Sequence, residues 1–209
     1  MGERPPPLLR RSRLLAGESL SSLLARLVRL NHYEVPALLT GLCLGGQRDN
    51  LAHPRQSATY ERLAALTRIS AGDLYRATPH VFARVLVPPG IEMDMVRLSI
   101  NSDMPLLETR FASKFLRPES AAQYCPACLA EAACHHLVWL PVAASACPQH
   151  ECLLVTGCPQ CGAEVSVQAI ALARCSQCGA DLREGQPVLV TGDDHGLFVQ
   201  RVIQSWLTC

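Results

Sequence analysis

Four pairs of potential metal ligands lie in the second half of the 209-residue sequence. In each pair two residues separate the ligands: Cys125 and Cys128, Cys147 and His150, Cys158 and Cys161, Cys175 and Cys178. This spacing lets one tight turn present two ligands to a single tetrahedral ion, and a structural zinc site needs two such pairs. Taken in chain order, the pairs predict two zinc ions per chain, one held by three thiolates and an imidazole and the other by four thiolates.

Other residues compete for these roles. Cys134 and Cys152 could each replace a predicted ligand, and the neighbouring His135 and His136 compete with His150, although we expect both to be surface or packing residues. A disulfide framework is disfavoured because the 11 cysteines are odd in number and no secretory signal is visible. Burial alone explains single cysteines, but it does not explain eight ligands in four matched pairs.

The two predicted sites are structural rather than catalytic, because four protein ligands leave no open coordination position for a reacting water. The zinc deaminase signature combines H-x-E with P-C-x-x-C, whereas this chain has His150 directly before Glu151 and uses C-P-x-C. A phosphate-binding loop needs a lysine after glycine, and Lys114, the one lysine, follows Ser113. We therefore expect a zinc-stabilised scaffold and not an enzyme.

The first half of the chain carries helical patterns. Leucines and a valine recur at helical spacing between Leu20 and Val28, and Ser19 is suited to cap that helix. Residues 35–46 predict a second short helix. Residues 59–78 predict a helix, a tight turn and a second helix that starts at Ser70, which is the outline of a helix-turn-helix.

These patterns predict a mainly α fold with small β elements, in which a helical helix-turn-helix domain precedes a tandem zinc-ribbon-like domain. We expect a flexible N-terminus at residues 1–16, the helical domain at 17–84, a linker or strap at 85–123, the two-zinc domain at 124–185 and a C-terminal helix at 186–209. One face of that last helix is predicted to carry Phe198, Val202, Ile203, Trp206 and Leu207.

Charge is distributed unevenly, although the net charge is +1. Residues 1–124 carry 16 basic and 11 acidic side chains, and residues 125–209 carry 3 basic and 7 acidic ones. Zinc thiolates would make the second half still more negative, so the first half is the better candidate for contact with nucleic acid. The predicted nucleic-acid or partner contacts are Arg26, Arg29, Tyr75 and Arg76. Few of these side chains could reach a DNA groove.

No stretch predicts a membrane span, because the longest largely apolar run, residues 137–147, is far shorter than a bilayer requires. With no signal peptide visible, the sequence predicts a cytoplasmic location.

Several motifs together resemble the TniQ/TnsD family of transposition target-selection proteins. They are GESLSSLLARL from Gly17, the helix-turn-helix, CPACLAE from Cys125, Trp139, CPQH from Cys147, CPQCG from Cys158, and the C-x-x-C-G unit at Cys175. AEAACHHLVW, residues 130–139, is similar to the short TniQ proteins of CRISPR-associated transposons. Two residues depart from the family pattern. His136 stands where many relatives have arginine, and Glu151 stands where many have glycine.

The resemblance implies a non-enzymatic bacterial adaptor that links a target complex, often a guide-RNA effector, to the AAA+ ATPase TnsC. It also implies contact with target DNA, and a homodimer is a further option for its assembly. The alternative is a sequence-specific helix-turn-helix DNA-binding protein, either an attachment-site reader or a regulator. Tight sequence-dependent binding of DNA by the chain alone would favour the alternative.

Overall fold

The computed structural model describes residues 8–32, 53–83, 96–98, 105–107 and 114–208. The short helix predicted over residues 35–46 and two of the cysteines, Cys43 and Cys209, lie outside these residues. Within them the chain is mainly helical, with two small two-stranded sheets. In the described part of the chain, no helix has the length and apolar character needed to cross a lipid bilayer.

Three helices form the N-terminal core. They are α1 (Leu20–Asn31), α2 (Ser57–Thr67) and α3 (Ala71–Arg76). The predicted apolar stripe of α1 is buried, and Ser19 caps the helix by accepting a hydrogen bond from the Ser22 N–H. This stripe packs with residues of α2 and α3 that include Tyr60, Leu63 and Leu74. The helical spacing in the sequence therefore located both the first helix and its buried face.

A three-residue turn joins α2 to α3. Arg68 closes α2 with a positive φ of 63°, and its N–H donates to the Ala64 carbonyl. Ser70 then caps α3 by accepting a hydrogen bond from the Asp73 N–H at 3.0 Å. Two helices and a tight turn were predicted here and are present, while a DNA-binding role for the pair stays a prediction.

The C-terminal half has little regular structure. It contains α4 (Pro126–Glu131), α5 (Val167–Ala171), α6 (His195–Thr208) and an antiparallel hairpin of β3 (Ala146–Cys147) with β4 (Cys152–Leu153). The other hairpin, β1 (Val96–Leu98) with β2 (Pro105–Leu107), precedes it with Val96 opposite Leu107. Short 3-10 turns fill other segments: Pro79–Phe82, Glu119–Ala121, Leu137–Trp139 and Leu182–Glu184. A second core, which includes Tyr124, Trp139 and several of the cysteines, lies among these short elements.

Residues 114–123, at the end of the predicted strap, run along this second core. The Arg117 N–H donates to the Leu140 carbonyl at 2.8 Å, and the Ala122 N–H donates to the Val165 carbonyl at 2.8 Å. The buried amide of Gln123 donates to the carbonyls of Trp139 and Ala144, each at 2.8 Å. These residues therefore belong to the packing of the C-terminal half.

The apolar face predicted for α6 is only partly buried. The helix buries Leu197, Gln200 and Ile203, while Phe198 is 62 % exposed and Val202 is 36 % exposed. The Gln200 amide donates to the Val138 carbonyl at 2.9 Å, so a polar residue lies on the inward face. Phe198, Val202, Ile203 and Trp206 line one groove together, as a shared apolar face requires, although Phe198 and Val202 are exposed.

The two halves are joined where α1 contacts α5 and by hydrogen bonds at the start of α1. The Ser19 N–H donates to the His135 carbonyl at 2.9 Å, and the His135 N–H donates to the Ser22 hydroxyl at 3.0 Å. The Leu137 N–H donates to the Gly17 carbonyl at 2.8 Å. His135 is fully buried, and its ring also meets Trp139 edge-on with centroids 5.7 Å apart. The expectation that His135 packs rather than binds metal therefore agrees with its position.

Candidate metal centres

Two short elements position the first cluster, which we call the three-thiol group (Cys125, Cys128, Cys147 and His150). Cys125 is the N-cap of α4, and its sulfur accepts a hydrogen bond from the Cys128 N–H at 3.5 Å. Cys147 ends β3, and the turn that leads to β4 carries His150. At the end of this turn Glu151 adopts a positive φ of 44°. A helix start and a hairpin turn thus place their ligand pairs opposite one another.

The spacing of the ligand atoms in the three-thiol group matches a tetrahedral ion. The His150 Nδ1 lies 3.5 Å from the sulfur of Cys125, 3.3 Å from that of Cys128 and 3.6 Å from that of Cys147. The sulfurs of Cys128 and Cys147 are 3.6 Å apart. Bonds of about 2.3 Å to sulfur and about 2.0–2.1 Å to nitrogen place tetrahedral ligands roughly 3.6–3.8 Å from one another. The group could hold one metal ion.

A carboxylate orients the imidazole. The Nε2 of His150 lies 2.9 Å from an oxygen of Glu131, and the Gln149 amide donates to the other Glu131 oxygen at 2.8 Å. A hydrogen bond at Nε2 leaves Nδ1 unprotonated and turned toward the thiols, which is the common arrangement around a metal-bound histidine. The sequence analysis did not identify Glu131. Its position three residues after Cys128, on the helix that Cys125 starts, is the signal that could have found it.

Two other cysteines were considered as replacement ligands. The Cys152 sulfur is buried and lies 3.5 Å from the Cys125 sulfur, but it is not among the four ligand atoms that converge. The Cys134 sulfur lies 3.6 Å from the His136 Nε2 and contacts neither group. The clusters in the described residues are therefore those that chain order predicts, with Cys152 beside the first one.

The second cluster, the four-thiol group, contains Cys158, Cys161, Cys175 and Cys178. Each pair lies on the same kind of turn. The Gly162 N–H donates to the Cys158 carbonyl at 2.9 Å, and the Gly179 N–H donates to the Cys175 carbonyl at 3.0 Å. Both glycines have positive φ, 72° and 76°, as expected for a chain leaving such a turn. Adjacent strand bridges, Gly157 with Glu164 and Arg174 with Asp181, hold the ends of each turn together.

Sulfur spacing in the four-thiol group also fits a tetrahedral ion. Cys158 and Cys178 are 3.6 Å apart at their sulfurs, and Cys161 and Cys175 are 3.8 Å apart. All four sulfurs lie within 4.8 Å of one another. Cys158 and Cys175 are buried, whereas Cys161 and Cys178 are exposed. The sulfur spacing would let this group hold one metal ion. Because two of its ligands are exposed, the ion would lie near the protein surface.

Hydrogen bonds favour negative charge on particular sulfurs. Those from the backbone N–H groups of Cys178 and Gln177 lower the pKa of Cys175 to about 6. In the three-thiol group, hydrogen bonding from the thiols of Cys128 and Cys147 lowers the pKa of Cys125. Thiolates are the form that binds metal. Both groups therefore contain a sulfur that is already stabilised in that form.

Two of the four predicted nucleic-acid contacts have little exposed surface, and contact by any of the four stays a prediction. Tyr75 is buried, with its ring 6.0 Å from that of Tyr60, so it presents little surface to a ligand. Arg26 is turned inward, where its guanidinium pairs with buried Glu18 at 3.0 Å. Arg29 and Arg76 are exposed, as contact residues would need to be. The helical periodicity did not reveal Glu18, whose position before the first turn lets it pair with Arg26.

Comparison with known proteins gives one family match. The family model TniQ matches residues 9–154. The matched region covers the N-terminal core and all of the three-thiol group, and it ends before Cys158 of the four-thiol group. Among curated proteins no relative matches the chain.

Proposed function

The chain belongs to the TniQ family, and from this membership we propose that it is a non-catalytic adaptor of transposition that connects a target-recognition complex to the AAA+ ATPase TnsC. Membership itself supports a role in transposition. The observation that carries the proposal is the family match, which extends over the helical core and the three-thiol group together. We further propose a guide-RNA effector as the target-recognition complex, target DNA as a further contact and the bacterial cytoplasm as the location.

We assign zinc to both metal centres, giving two ions per chain. Thiolate and imidazole ligands at tetrahedral spacing are the donor set of structural zinc, and they suit Mg²⁺ or Ca²⁺ poorly. Zinc would cross-link α4 to the β3–β4 hairpin through one group and the two glycine-ended turns through the other. Four protein ligands per ion give the metal a structural role, which accords with an adaptor.

The size of α3 favours an adaptor over a sequence-specific DNA reader. A recognition helix reads DNA through several side chains in the major groove. Here the helix has six residues and Tyr75 is buried. Its other predicted contact, Arg76, pairs with Asp73 at 2.5 Å. We therefore expect the chain to bind duplex DNA weakly when its partners are absent.

An insertion assay tests the proposed function. It would combine the purified chain with the AAA+ ATPase, transposase and target-recognition complex of the same transposon, and count targeted insertions by sequencing. We expect targeted insertion to require the chain, and the tagged chain to retain the ATPase in the presence of ATP. Insertion at the same site and frequency without the chain would contradict the proposal, as would tight sequence-dependent binding of duplex DNA by the chain alone.

Metal analysis tests the zinc assignment separately. We expect two equivalents of zinc per chain, and one equivalent after Cys161→Ser, which removes a ligand of the four-thiol group. Cys134→Ser is the matched control, because this buried cysteine lies in neither group and its replacement should leave both ions bound. A single equivalent in the unmodified chain would show that only one of the two groups holds metal.

A further inference from the structure

A cleft with several arginines lies where the segment before α1 passes the turn between α2 and α3. Its volume is about 850 Å³, within the range of clefts that enclose small ligands or a few side chains. Residues 11–18 form one side and residues 67–70 with Asp73 and Arg76 form the other. We call it the arginine cleft. It is separate from both metal centres, none of whose ligands lines it.

The charge of the arginine cleft is mainly positive and largely uncompensated. Four arginines line it, namely Arg11, Arg13, Arg68 and Arg76, against two carboxylates. Both carboxylates are already engaged, Glu18 by Arg26 and Asp73 by Arg76. Within the described part of the chain, no ion pair engages the guanidinium groups of Arg11, Arg13 or Arg68, and all three residues are exposed. The cleft therefore offers three cations to an anionic ligand.

The backbone at Arg68 adds a second observation. Arg68 closes α2 in the left-handed region, where glycine or asparagine has the lower conformational cost. An arginine here gains no compensating hydrogen bond or ion pair from its side chain within the described residues. No described side-chain contact of Arg68 therefore offsets the cost of its left-handed backbone conformation. The Arg68 side chain instead lines the cleft.

The remaining lining residues indicate the chemistry of the ligand. Apolar side chains contribute much of the lining: Leu14, Leu15, Ile69, Leu137 and Leu207. None of the described lining residues is aromatic, whereas proteins that hold single-stranded nucleic acid stack its bases on aromatic rings. Duplex recognition buries roughly 1,000–2,500 Å² of protein surface, more than the wall of a cleft of this size provides. A lining of arginines and apolar side chains is instead complementary to a peptide in which acidic and apolar residues alternate.

We propose that the arginine cleft binds a short acidic and apolar segment of a partner protein. Carboxylates of the segment pair with Arg11, Arg13 and Arg68, for which guanidinium groups are suited by their forked donors. Apolar side chains of the segment contact the leucines and Ile69. Because it names a partner surface of an adaptor, the proposal rests on the proposed function, yet its test uses the purified chain alone.

Fluorescence anisotropy with a short labelled peptide of aspartate and leucine residues measures the binding. We expect saturable binding that weakens as salt is raised, and no binding of a peptide with asparagine in place of aspartate. Arg68→Gly should weaken binding about tenfold, the equivalent of one charge-assisted hydrogen bond. The same variant should unfold at an equal or higher denaturant concentration, because glycine is favoured at a left-handed helix end.

Arg11→Gln combined with Arg13→Gln should also weaken binding, and Arg201→Gln is the matched control. Arg201 is exposed on α6 and does not line the cleft. Binding of the peptide with equal affinity by Arg68→Gly and the unmodified chain would overturn the proposal. It would also be overturned if labelled oligouridine or duplex DNA bound more tightly than the peptide and lost affinity in the same variants. Self-association of the chain that these variants abolish would identify a second copy as the occupant instead.

These results are separable from those of the insertion assay. If insertion requires the chain but the peptide does not bind, the cleft proposal fails and the adaptor role stands. If the peptide binds through the cleft but insertion does not require the chain, the adaptor role fails and the binding site stands.

Discussion

Glu18 and Arg26 form an ion pair beneath the segment that precedes α1. The Glu18 carboxylate accepts hydrogen bonds from Arg26, from the Ser22 hydroxyl at 2.9 Å and from the Leu15 N–H at 3.0 Å. Burial raises the pKa of Glu18, and these donors and the Arg26 charge oppose that effect. The pair thereby connects residues 12–15, which line the arginine cleft, to the first turn of α1.

Glu18→Ala should lower the free energy of unfolding by about 3 kcal/mol, because it leaves the largely buried Arg26 without its counter-charge. Chemical denaturation measures the change. Glu61→Ala removes an exposed carboxylate from α2 and should change stability by no more than about 0.5 kcal/mol. Glu18→Leu combined with Arg26→Met should recover part of the loss. Equal stability of Glu18→Ala and Glu61→Ala would show that the ion pair contributes nothing.

His135 makes stability depend on pH. Burial lowers the pKa of this fully buried histidine to about 3, from an ordinary value of 6.5. Between these values the unfolded chain carries a proton that the folded chain does not, so the free energy of unfolding falls as pH is lowered from 6.5. One proton corresponds to about 1.4 kcal/mol per pH unit. His80, whose pKa burial and the charge of His53 lower to about 4, acts in the same direction.

The free energy of unfolding of His135→Asn should therefore depend less steeply on pH. The expected difference in slope is that of about one proton bound on unfolding. Urea denaturation of both proteins between pH 6.5 and 5 gives the two slopes. Protonation of the metal-binding thiolates and of His80 is common to both proteins, so the difference between slopes isolates His135. Identical slopes would show that His135 binds its proton equally well in the folded and unfolded chain.

At the scale of elements, two similar turns form the four-thiol group. Each consists of a C-x-x-C pair, a backbone hydrogen bond back to the first cysteine and a glycine with positive φ. A Cβ atom at Gly162 or Gly179 would meet nothing within 4 Å, so neither glycine is needed for space. Each is needed for its backbone conformation alone.

Gly162→Ala or Gly179→Ala should each lower the free energy of unfolding of the metal-bound protein by about 1 kcal/mol, the cost of a left-handed conformation for alanine. Gly192→Ala is the control, because Gly192 also has open space around it but does not adopt positive φ. Denaturant midpoints at fixed zinc concentration give the comparison. If all three variants were equally stable, the turn would tolerate a Cβ, and our account of the glycines would be wrong.

The sequence predicted the structural features that depend on residues close together in the chain. The ligand pairs, the caps at Ser19 and Ser70 and the buried stripe of α1 depend on residues within about one helical turn of each other. Features set by packing against a distant segment were not predicted. The Gln200 amide lies inward against the Val138 carbonyl, and the Tyr75 ring packs against Tyr60, and both contacts are made to segments that local spacing does not specify. The Glu131 contact with His150 likewise depends on how α4 faces the hairpin.

At the scale of the whole molecule, two apolar cores meet where residues 17–22 bond to residues 135–137 and where α1 contacts α5. The N-terminal core consists of three helices, whereas the C-terminal core lies among segments of two to six residues together with α6. Such short segments bring few backbone hydrogen bonds of their own. A structural zinc ion supplies an apparent binding free energy of about 10–16 kcal/mol, comparable with the whole stability of a domain. We therefore expect the C-terminal half to depend on metal far more than the helical core does.

Two neighbouring amides should report this difference. The Ser19 N–H donates across the junction to the His135 carbonyl, whereas the Leu20 N–H donates to the Ala77 carbonyl within the N-terminal half, at 2.7 Å. After removal of zinc with a chelator, we expect hydrogen exchange at Ser19 to accelerate strongly and exchange at Leu20 to change little. The reason is that loss of the metal centres frees the segment that follows α4 while the helical core keeps its own packing.

Residue-resolved exchange measured by NMR distinguishes the outcomes, and re-addition of zinc should restore protection at Ser19. Unchanged protection at both amides would mean that the C-terminal half folds without metal. Loss of protection at both would mean that the two cores unfold as one unit and that the helices cannot stand alone. Either result would contradict our expectation that the C-terminal core needs metal and the helical core does not. That expectation requires exchange at Ser19 to respond to zinc and exchange at Leu20 to stay unchanged.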